Sequence, residues 1–200
     1  MVSISNYYIS DLHFSHKQVL AFDNRQYFSI GEMNSALIHN WNSVVTSKDS
    51  VYVLGDVSWD TKENTLNYLS QLNGKKCLIR GNHDTEFQCS NKPSQGFSWV
   101  KDYAEIVDGK KHIVLSHYPI PCYKNMYYGW YMLYGHVHST TEDVITEHYL
   151  DSICNYYEFP RKSFNVGCMK SWMNFTPRTL EQIETGYVKY KNKLKEIEVD

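Results

Sequence analysis

The sequence lacks any apolar run long enough to cross a membrane. Its first residues, MVSISNYYIS, include neither a basic start nor a long apolar stretch, so we expect no secretory leader. Its five cysteines are odd in number and form no CxxC pair, which argues against a disulfide framework and against a thiolate zinc site. We therefore expect reduced thiols, no membrane association and a cytoplasmic location.

An excess of positive charge is also missing. The 20 Lys and Arg residues are balanced by 22 Asp and Glu residues, for a formal net charge of -2. This balance argues against a general nucleic-acid-binding protein. The hydrophobic fraction of 42% is sufficient for a packed core, and the sequence shows no repeat or low-complexity linker. We predict a single domain over residues 1–200.

Short apolar runs rich in β-forming residues are the main secondary-structure signal. Helix starts are predicted between some of them, where Ser29 with Glu32, Asp60 with Glu63 and Thr179 with Gln182 form capping-box patterns. The alternation predicts an α/β fold with a mixed sheet. The predicted strands are Ile4–Ile9, Val51–Leu54, Cys77–Ile79, Ile113–Leu115, Trp130–Tyr134 and Ser163–Val166.

Polar residues follow five of these runs at the point where each predicted strand ends. Open α/β sheets place their sites at such strand ends, where loops can direct side chains without disturbing the core. In the DxH and HxH pairs, residues two apart point the same way on an extended chain. The clusters are Asp11 and His13; Asp56; Asn82, His83 and Asp84; His117; and His136 and His138.

Nitrogen and oxygen donors of this kind suit borderline divalent metals, and a pair of ions needs about six to eight protein donors. Without thiolate ligands, the set favours Mn²⁺ foremost, with Fe, Co²⁺, Ni²⁺ or Zn²⁺ as alternatives. Four histidines in the set argue against Mg²⁺ alone. The sequence therefore predicts two divalent transition-metal ions as cofactors.

The motifs DLH, GDV, GNHD, SH and GHVH, in this order over residues 11–138, resemble the signature of the calcineurin-like metallophosphoesterase superfamily. The combination of GNHD and GHxH after DxH and GD is highly specific. The DLHFSH motif with the Asp23–Arg25 segment and the ALIHNWN stretch further resembles small bacterial and phage members. The resemblance implies two mixed β-sheets packed as a sandwich and flanked by helices.

The resemblance also implies a role for each motif residue. One metal is expected on Asp11, His13, Asp56 and His138, and the other on Asp56, Asn82, His117 and His136, with Asp56 bridging. A metal-bridging hydroxide would attack a phosphomonoester or phosphodiester, with His83 as the general acid. Asp84 is expected to orient the His83 ring.

Two further residues are candidates for substrate binding. Arg25 suits a phosphate clamp because guanidinium binds phosphate bidentately, and the alternative interpretation is a surface ion pair with Asp23 or another acid. His16 is placed to contact a phosphate oxygen or to hydrogen-bond a ligand from behind. The expected partner is a small phosphate ester or nucleotide.

The aromatic segment from Tyr118 to Tyr134 has two interpretations. It is either a lid that stacks on a substrate or a loop that packs on the domain, and the Tyr-rich composition favours packing. Two alternatives to a small-molecule phosphoesterase also stay open. One is a nuclease or nucleic-acid end-processing phosphatase, and the other is a non-catalytic scaffold with the same fold.

Overall fold

The computed structural model describes residues 4–197, which form two four-stranded β-sheets and five α-helices. The first sheet has the order β1-β2-β3-β4, and every neighbouring pair is parallel. Its strands are β1 (Asn6–Ile9), β2 (Ser50–Val53), β3 (Lys75–Ile79) and β4 (Val100–Lys101). Parallel neighbours require crossovers, which are provided by α1 (Val19–Phe22) and α2 (Ile30–Val44) after β1, and by α3 (Lys62–Gln71) after β2.

The second sheet has the order β5-β6-β7-β8. Its first two strands form an antiparallel hairpin, as the adjacent runs near residues 105–116 predicted, and the other pairs are parallel. The strands are β5 (Tyr103–Asp108), β6 (Lys111–Ser116), β7 (Tyr131–Tyr134) and β8 (Ser163–Asn165). Helix α4 (Thr141–Tyr156) joins β7 to β8, and α5 (Leu180–Ile197) follows.

The predicted two-sheet α/β architecture is confirmed, with one difference in detail. Only the second sheet is mixed, because the hairpin at Gly109 reverses the chain there, with a positive φ of 61°. The strands of the first sheet all run the same way, because each of its connections crosses over before pairing.

The main hydrophobic core takes residues from both sheets, from α2 and from α5. Strand alternation separates the two faces of the second sheet. Ile113 and Leu115 point into the main core, whereas Val114 belongs to a second cluster that also contains Leu150 of α4. The second sheet therefore packs against a hydrophobic cluster on each of its faces.

Two of the three predicted helix starts are confirmed. The Ser29 hydroxyl accepts from the Glu32 amide, and Thr179 and Gln182 cap each other reciprocally. The start predicted at Asp60 was wrong by one residue, since Thr61 caps α3 and Asp60 instead accepts from the Thr61 amide. Helix α4 was not predicted, because its Val144, Ile145 and Tyr149 side chains are exposed and form no core-facing stripe.

Within residues 4–197, no helix is long and apolar enough to cross a membrane. All five cysteines, which lie in the same range, have free thiols.

The Tyr118–Gly129 segment contains a short 3₁₀ turn at Met126–Tyr128 and buries Tyr123 in the second cluster. The Tyr127 ring meets those of Tyr157 and Phe159 edge-on, which supports the packing interpretation.

Trp41 gives a test of the main core. It is 1% exposed in α2, and its indole donates to the Asn73 carbonyl at 3.0 Å. We expect Trp41→Ala to lower the free energy of unfolding by about 3–5 kcal/mol, because it leaves a cavity and an unpaired carbonyl. Urea denaturation followed by far-UV circular dichroism measures this loss. The control Tyr128→Ala, at an 85% exposed residue, should change it by less than about 0.5 kcal/mol, and equal losses would contradict the packing described here.

Candidate metal centre

The polar clusters predicted at strand ends come together at one edge of the molecule. The loops after β1, β2 and β3 lie side by side, because their parallel strands end at the same edge of the first sheet. The loops after β6 and β7 approach from the second sheet, and Gly135 donates to the His117 carbonyl at 2.9 Å. The site is therefore formed where the two sheets meet.

A first group of side chains consists of Asp11, His13, Asp56 and His138, all buried, with their ligand atoms within 4.8 Å of one another. The Nε2 atoms of His13 and His138 are 3.2 Å apart. The His13 Nε2 atom lies 3.6 Å from Asp56 Oδ2, and His138 Nε2 lies 3.8 Å from Asp11 Oδ1. Two nitrogens and two carboxylates thus converge on one small volume.

A second group consists of Asp56, His117 and His136, whose ligand atoms again lie within 4.8 Å of one another. The Asn82 side-chain oxygen joins this group, at 3.0 Å from His117 Nε2 and 3.0 Å from His136 Nδ1. Asp56 Oδ2 is 3.6 Å from His117 Nε2. Asp56 is the residue common to both groups, so its carboxylate lies between them.

The backbone of these loops is unusual. Five of the seven residues in the two groups adopt positive φ angles, in the left-handed region that residues with a Cβ atom rarely occupy. Space is equally restricted, since a Cβ atom at Gly81 would lie 2.2 Å from Asp56 Oδ1, and one at Gly135 would lie 2.2 Å from Ser10 Oγ. The five residues with positive φ are Asp11, His13, Asp56, His136 and His138.

Burial shifts the acid–base behaviour of both groups. It lowers the pKa of His13, and the neighbouring His138 adds to that effect. Burial also raises the pKa of Asp56, although His117 acts against this rise. Burial lowers the pKa of His136 in the same way. Closely packed carboxylates are costly without a cation, and neutral imidazoles are the form that binds a divalent metal, so these residues fit a metal centre.

His83 lies beside the two groups and outside both. Its backbone amide donates to Asp56 Oδ1 at 3.0 Å, and its half-buried ring is centred 5.7 Å from that of His13. The ring is therefore held next to the centre while part of it faces the surface. This position leaves His83 available to a bound substrate.

Asp84 has a different environment from the one expected. Its carboxylate accepts hydrogen bonds from the amides of Asp56 at 2.7 Å, Val57 at 3.0 Å and Gly81 at 2.8 Å. The expectation that it orients the His83 ring is therefore corrected. Asp84 instead fixes the backbone of the loops after β2 and β3, with a side chain that is 1% exposed.

Arg25 is not placed to clamp a substrate phosphate, and that expectation is corrected as well. Its side chain is fully buried, and Nε donates to Asp23 Oδ2 at 2.9 Å. Its remaining nitrogens donate to the carbonyls of Leu12 at 2.9 Å and Asp11 at 2.7 Å. The ion pair with Asp23 was the alternative interpretation, but it lies in the interior and supports the DLH loop.

His16 lies against His13, one of the candidate ligands, which fits one of its two interpretations. Its Nδ1 atom lies 3.3 Å from Nδ1 of His13, in a ring that is mostly buried. Its aromatic face stacks on Trp59, with ring centroids 4.2 Å apart. Burial lowers the pKa of His16, with a further contribution from His83. A direct contact of His16 with a substrate stays a prediction.

Asp23 also belongs to the site, although the sequence predicted it only as an ion-pair partner of Arg25. Its Oδ2 atom is 3.2 Å from Nδ1 of His138, the ring nitrogen that does not face the first ligand group, so it fixes the orientation of that ring. Burial opposes a charge on His138, but the hydrogen bond to Asp23 and the charge of Asp11 outweigh it and raise the pKa of His138. The two residues are 115 positions apart, and no local motif marks such a contact.

The His138 loop has a second buried support. The Asn165 amide donates to the His138 carbonyl at 3.3 Å and to Asp143 Oδ1 at 3.0 Å. The Lys170 ammonium donates to the other oxygen of Asp143 at 2.6 Å. This network links β8 and α4 to the loop after β7, and it lies outside every predicted motif.

Two clefts border the centre. The Trp59 cleft, about 280 Å³, is lined by Ser58, Trp59, Asp60, Asn82, His83 and Thr85. The Tyr118 cleft, about 360 Å³, is lined by Arg80, Gly81, Asn82, Asp84, Thr85, Asp102 and Tyr118. Asn82 and Thr85 belong to both, so the clefts adjoin each other at the second ligand group.

Comparisons with known proteins agree with this geometry. The model of a family described as calcineurin-like phosphoesterase matches residues 7–174. An uncharacterised protein of Methanocaldococcus jannaschii is 34% identical over 184 residues, 88% of each chain. The gene 66 protein of Mycobacterium phage L5 is 35% identical over 83 residues, 40% of each chain. A protein of unknown function from Aquifex aeolicus superposes with a TM-score of 0.66 at 25% identity, over 92% of this chain and 99% of its own.

The support from Asp23 predicts a change in metal affinity. We expect Asp23→Asn to weaken Mn²⁺ binding about 10- to 100-fold, because the ring of His138 loses a charged acceptor. Titration calorimetry on chelator-treated protein measures this affinity. Asp151→Asn is the matched control, since Asp151 also pairs with a buried arginine, Arg161, at 2.9 Å. Equal affinity in Asp23→Asn and the unsubstituted protein would refute the role of Asp23.

Proposed function

The chain belongs to the calcineurin-like phosphoesterase family, and on that premise we propose that it is a dinuclear metal-dependent hydrolase of small phosphate esters. The observation that carries the proposal is the shared position of Asp56. Its carboxylate belongs to both ligand groups, as a bridge between two ions requires. The family and these convergent side chains support a metallophosphoesterase, and the two-ion chemistry is our inference.

The first ion would be held by Asp11, His13, Asp56 and His138, and the second by Asp56, Asn82, His117 and His136. Two bound divalent ions would neutralise the phosphate oxygens. They would also lower the pKa of water enough to supply hydroxide as the nucleophile near neutral pH. The protein contributes the negative charge of Asp11 and Asp56, which reduces repulsion between the ions. The donor set of imidazole, carboxylate and amide groups favours Mn²⁺, with Fe, Co²⁺, Ni²⁺ or Zn²⁺ as alternatives.

His83 is our candidate for the general acid. Its amide bond to Asp56 Oδ1, at 3.0 Å, keeps the residue in a constant place relative to the bridging carboxylate. Its ring also lines the Trp59 cleft. An ester substituent of the substrate (an arm) that lies in this cleft would have its ester oxygen next to the imidazole. A proton donated to the leaving oxygen typically accelerates such a reaction about 10²- to 10⁴-fold.

The two alternative functions have less support. A general nuclease needs a positive surface for the phosphate backbone, whereas this chain has a net charge of -2. A non-catalytic scaffold has no need of seven convergent ligands or of His83 beside them. We propose a small phosphomonoester or phosphodiester as the substrate, including nucleotides.

The role of Asp56 predicts a strict metal requirement. After chelation, we expect no hydrolysis of bis-p-nitrophenyl phosphate, recovery on addition of Mn²⁺, and no recovery in Asp56→Asn, because neither ligand group is complete without this carboxylate. The assay measures p-nitrophenol release with metal content determined in parallel. Activity of Asp56→Asn equal to that of the unsubstituted protein would contradict the bridge, and protein that binds no metal at all would support the scaffold.

The role of His83 predicts a dependence on the leaving group. We expect His83→Asn to keep its bound metal and to lose about 10²- to 10⁴-fold in kcat on an ester with an alkyl leaving group. The loss should be smaller for p-nitrophenyl esters, because p-nitrophenolate leaves without help from an acid. Steady-state kinetics on both esters test this. The assignment fails if kcat is unchanged, or if both esters lose equally.

A further inference from the structure

Trp59 is exposed although its backbone is firmly held. The Trp59 amide donates to the Phe14 carbonyl at 2.8 Å, and Phe14 donates to the Val57 carbonyl at 3.0 Å. These bonds join the loop after β2 to the loop after β1. The side chain nevertheless remains 50% exposed. A large ring on a rigid loop, half open to solvent, needs little ordering to accept a planar ligand.

The rings around Trp59 define which part of it is open. The His16 ring stacks on one face, at 4.2 Å and 9° between planes. The His83 ring is 4.3 Å away at 61°, and the two histidines are 6.4 Å apart. These three distances place His83 at nearly a right angle to His16 around the Trp59 ring. The two histidines therefore do not enclose the indole from opposite directions, and Trp59 remains 50% exposed.

The Trp59 cleft suits one ring. Its volume of about 280 Å³ is just below the range of pockets that enclose whole drug-sized ligands. Its other lining groups are polar, so Trp59 provides the aromatic surface among them. Because the His83 ring touches the same indole, a group stacked on Trp59 lies next to the candidate acid.

The Tyr118 cleft lies beside the two histidines of the second ligand group. The Tyr118 ring is 48% exposed and meets the rings of His117 at 5.0 Å and His136 at 4.6 Å. Both clefts thus border the second ligand group at Asn82, each has one exposed aromatic residue, and Thr85 also lines both. A phosphomonoester would fill one cleft, whereas a phosphodiester has an arm for each.

We propose that the substrate is a phosphodiester with an aromatic leaving arm, such as an aryl or nucleobase-bearing group, and that this arm stacks on Trp59. The proposal rests on the proposed function. In the reaction, the P–O bond to the stacked arm breaks and a P–O bond to the oxygen of water forms. The leaving oxygen takes the proton of His83, which recovers one from the attacking water. The other arm remains on phosphorus and lies in the Tyr118 cleft.

Binding that involves no turnover tests the cleft separately from catalysis. Calorimetry on Mn²⁺-loaded protein compares methyl phenylphosphonate with methyl methylphosphonate, which differ only in a phenyl against a methyl group on phosphorus. We expect the phenyl compound to bind about 5- to 50-fold more tightly, a preference that disappears in Trp59→Ala and largely remains in Trp59→Phe. Tyr118→Ala should retain the preference. A preference that is lost only in Tyr118→Ala, or that is absent from the unsubstituted protein, overturns the proposal.

Hydrolysis of methyl phenyl phosphate then tests the leaving arm. We expect Trp59→Ala to raise KM at least about fivefold with a smaller effect on kcat, and Trp59→Phe to restore KM. A fall in kcat with KM unchanged would show that Trp59 only positions His83, and would overturn the stacking role. If the phenylphosphonate binds in a Trp59-dependent way but no ester is hydrolysed, the proposed function fails and the aromatic cleft stands. Tyr128→Ala, at an 85% exposed residue that lines neither cleft, serves as the surface control.

Discussion

The carboxylate of Asp56 must lie within reach of both ligand groups, and the surrounding structure is arranged to hold it there. Its backbone amide is bound by Asp84, one of its oxygens accepts from the His83 amide, and Gly81 leaves room for that oxygen. In the proposed two-ion centre, each divalent ion would repel the other, so an anionic bridge would be the condition for holding both. The loops after β1, β2 and β3 meet at this residue and are joined there by hydrogen bonds.

The strain in the loops is a cost of this arrangement. Left-handed backbone at five ligand positions and buried carboxylates without a counter-ion each oppose folding. Asp84, Arg25 and the Lys170–Asp143 pair offset these costs with hydrogen bonds to the same loops. Bound cations would remove the remaining repulsion, which couples the stability of this edge to metal content.

The motif residues could be predicted because their signal is local. Each follows an apolar strand within a few residues, and strand order brings the ends together, so the ligand groups and the two-sheet fold were accessible from sequence. The supporting residues were not, because their contacts span long stretches of chain: Asp23 meets His138 across 115 positions, and Asp84 serves amides 27 and 28 residues away. Arg25 was assigned to substrate for the same reason, since only the folded chain shows that carbonyls occupy its nitrogens. Helix α4 went unrecognised because its apolar side chains face outward.

The rigid loop of Trp59 has a consequence for how such proteins diverge. The groups that would hold the metals are buried and bound through the backbone, whereas the walls of the two clefts are side chains at the surface, such as Trp59 and Tyr118. On the proposed function, a substitution in the walls would change which ester substituent is accepted without disturbing Asp56 or its supports. Selection can therefore redirect the range of esters in small steps while the hydrolytic chemistry is inherited intact, and relatives with the same ligand motifs need not share a substrate.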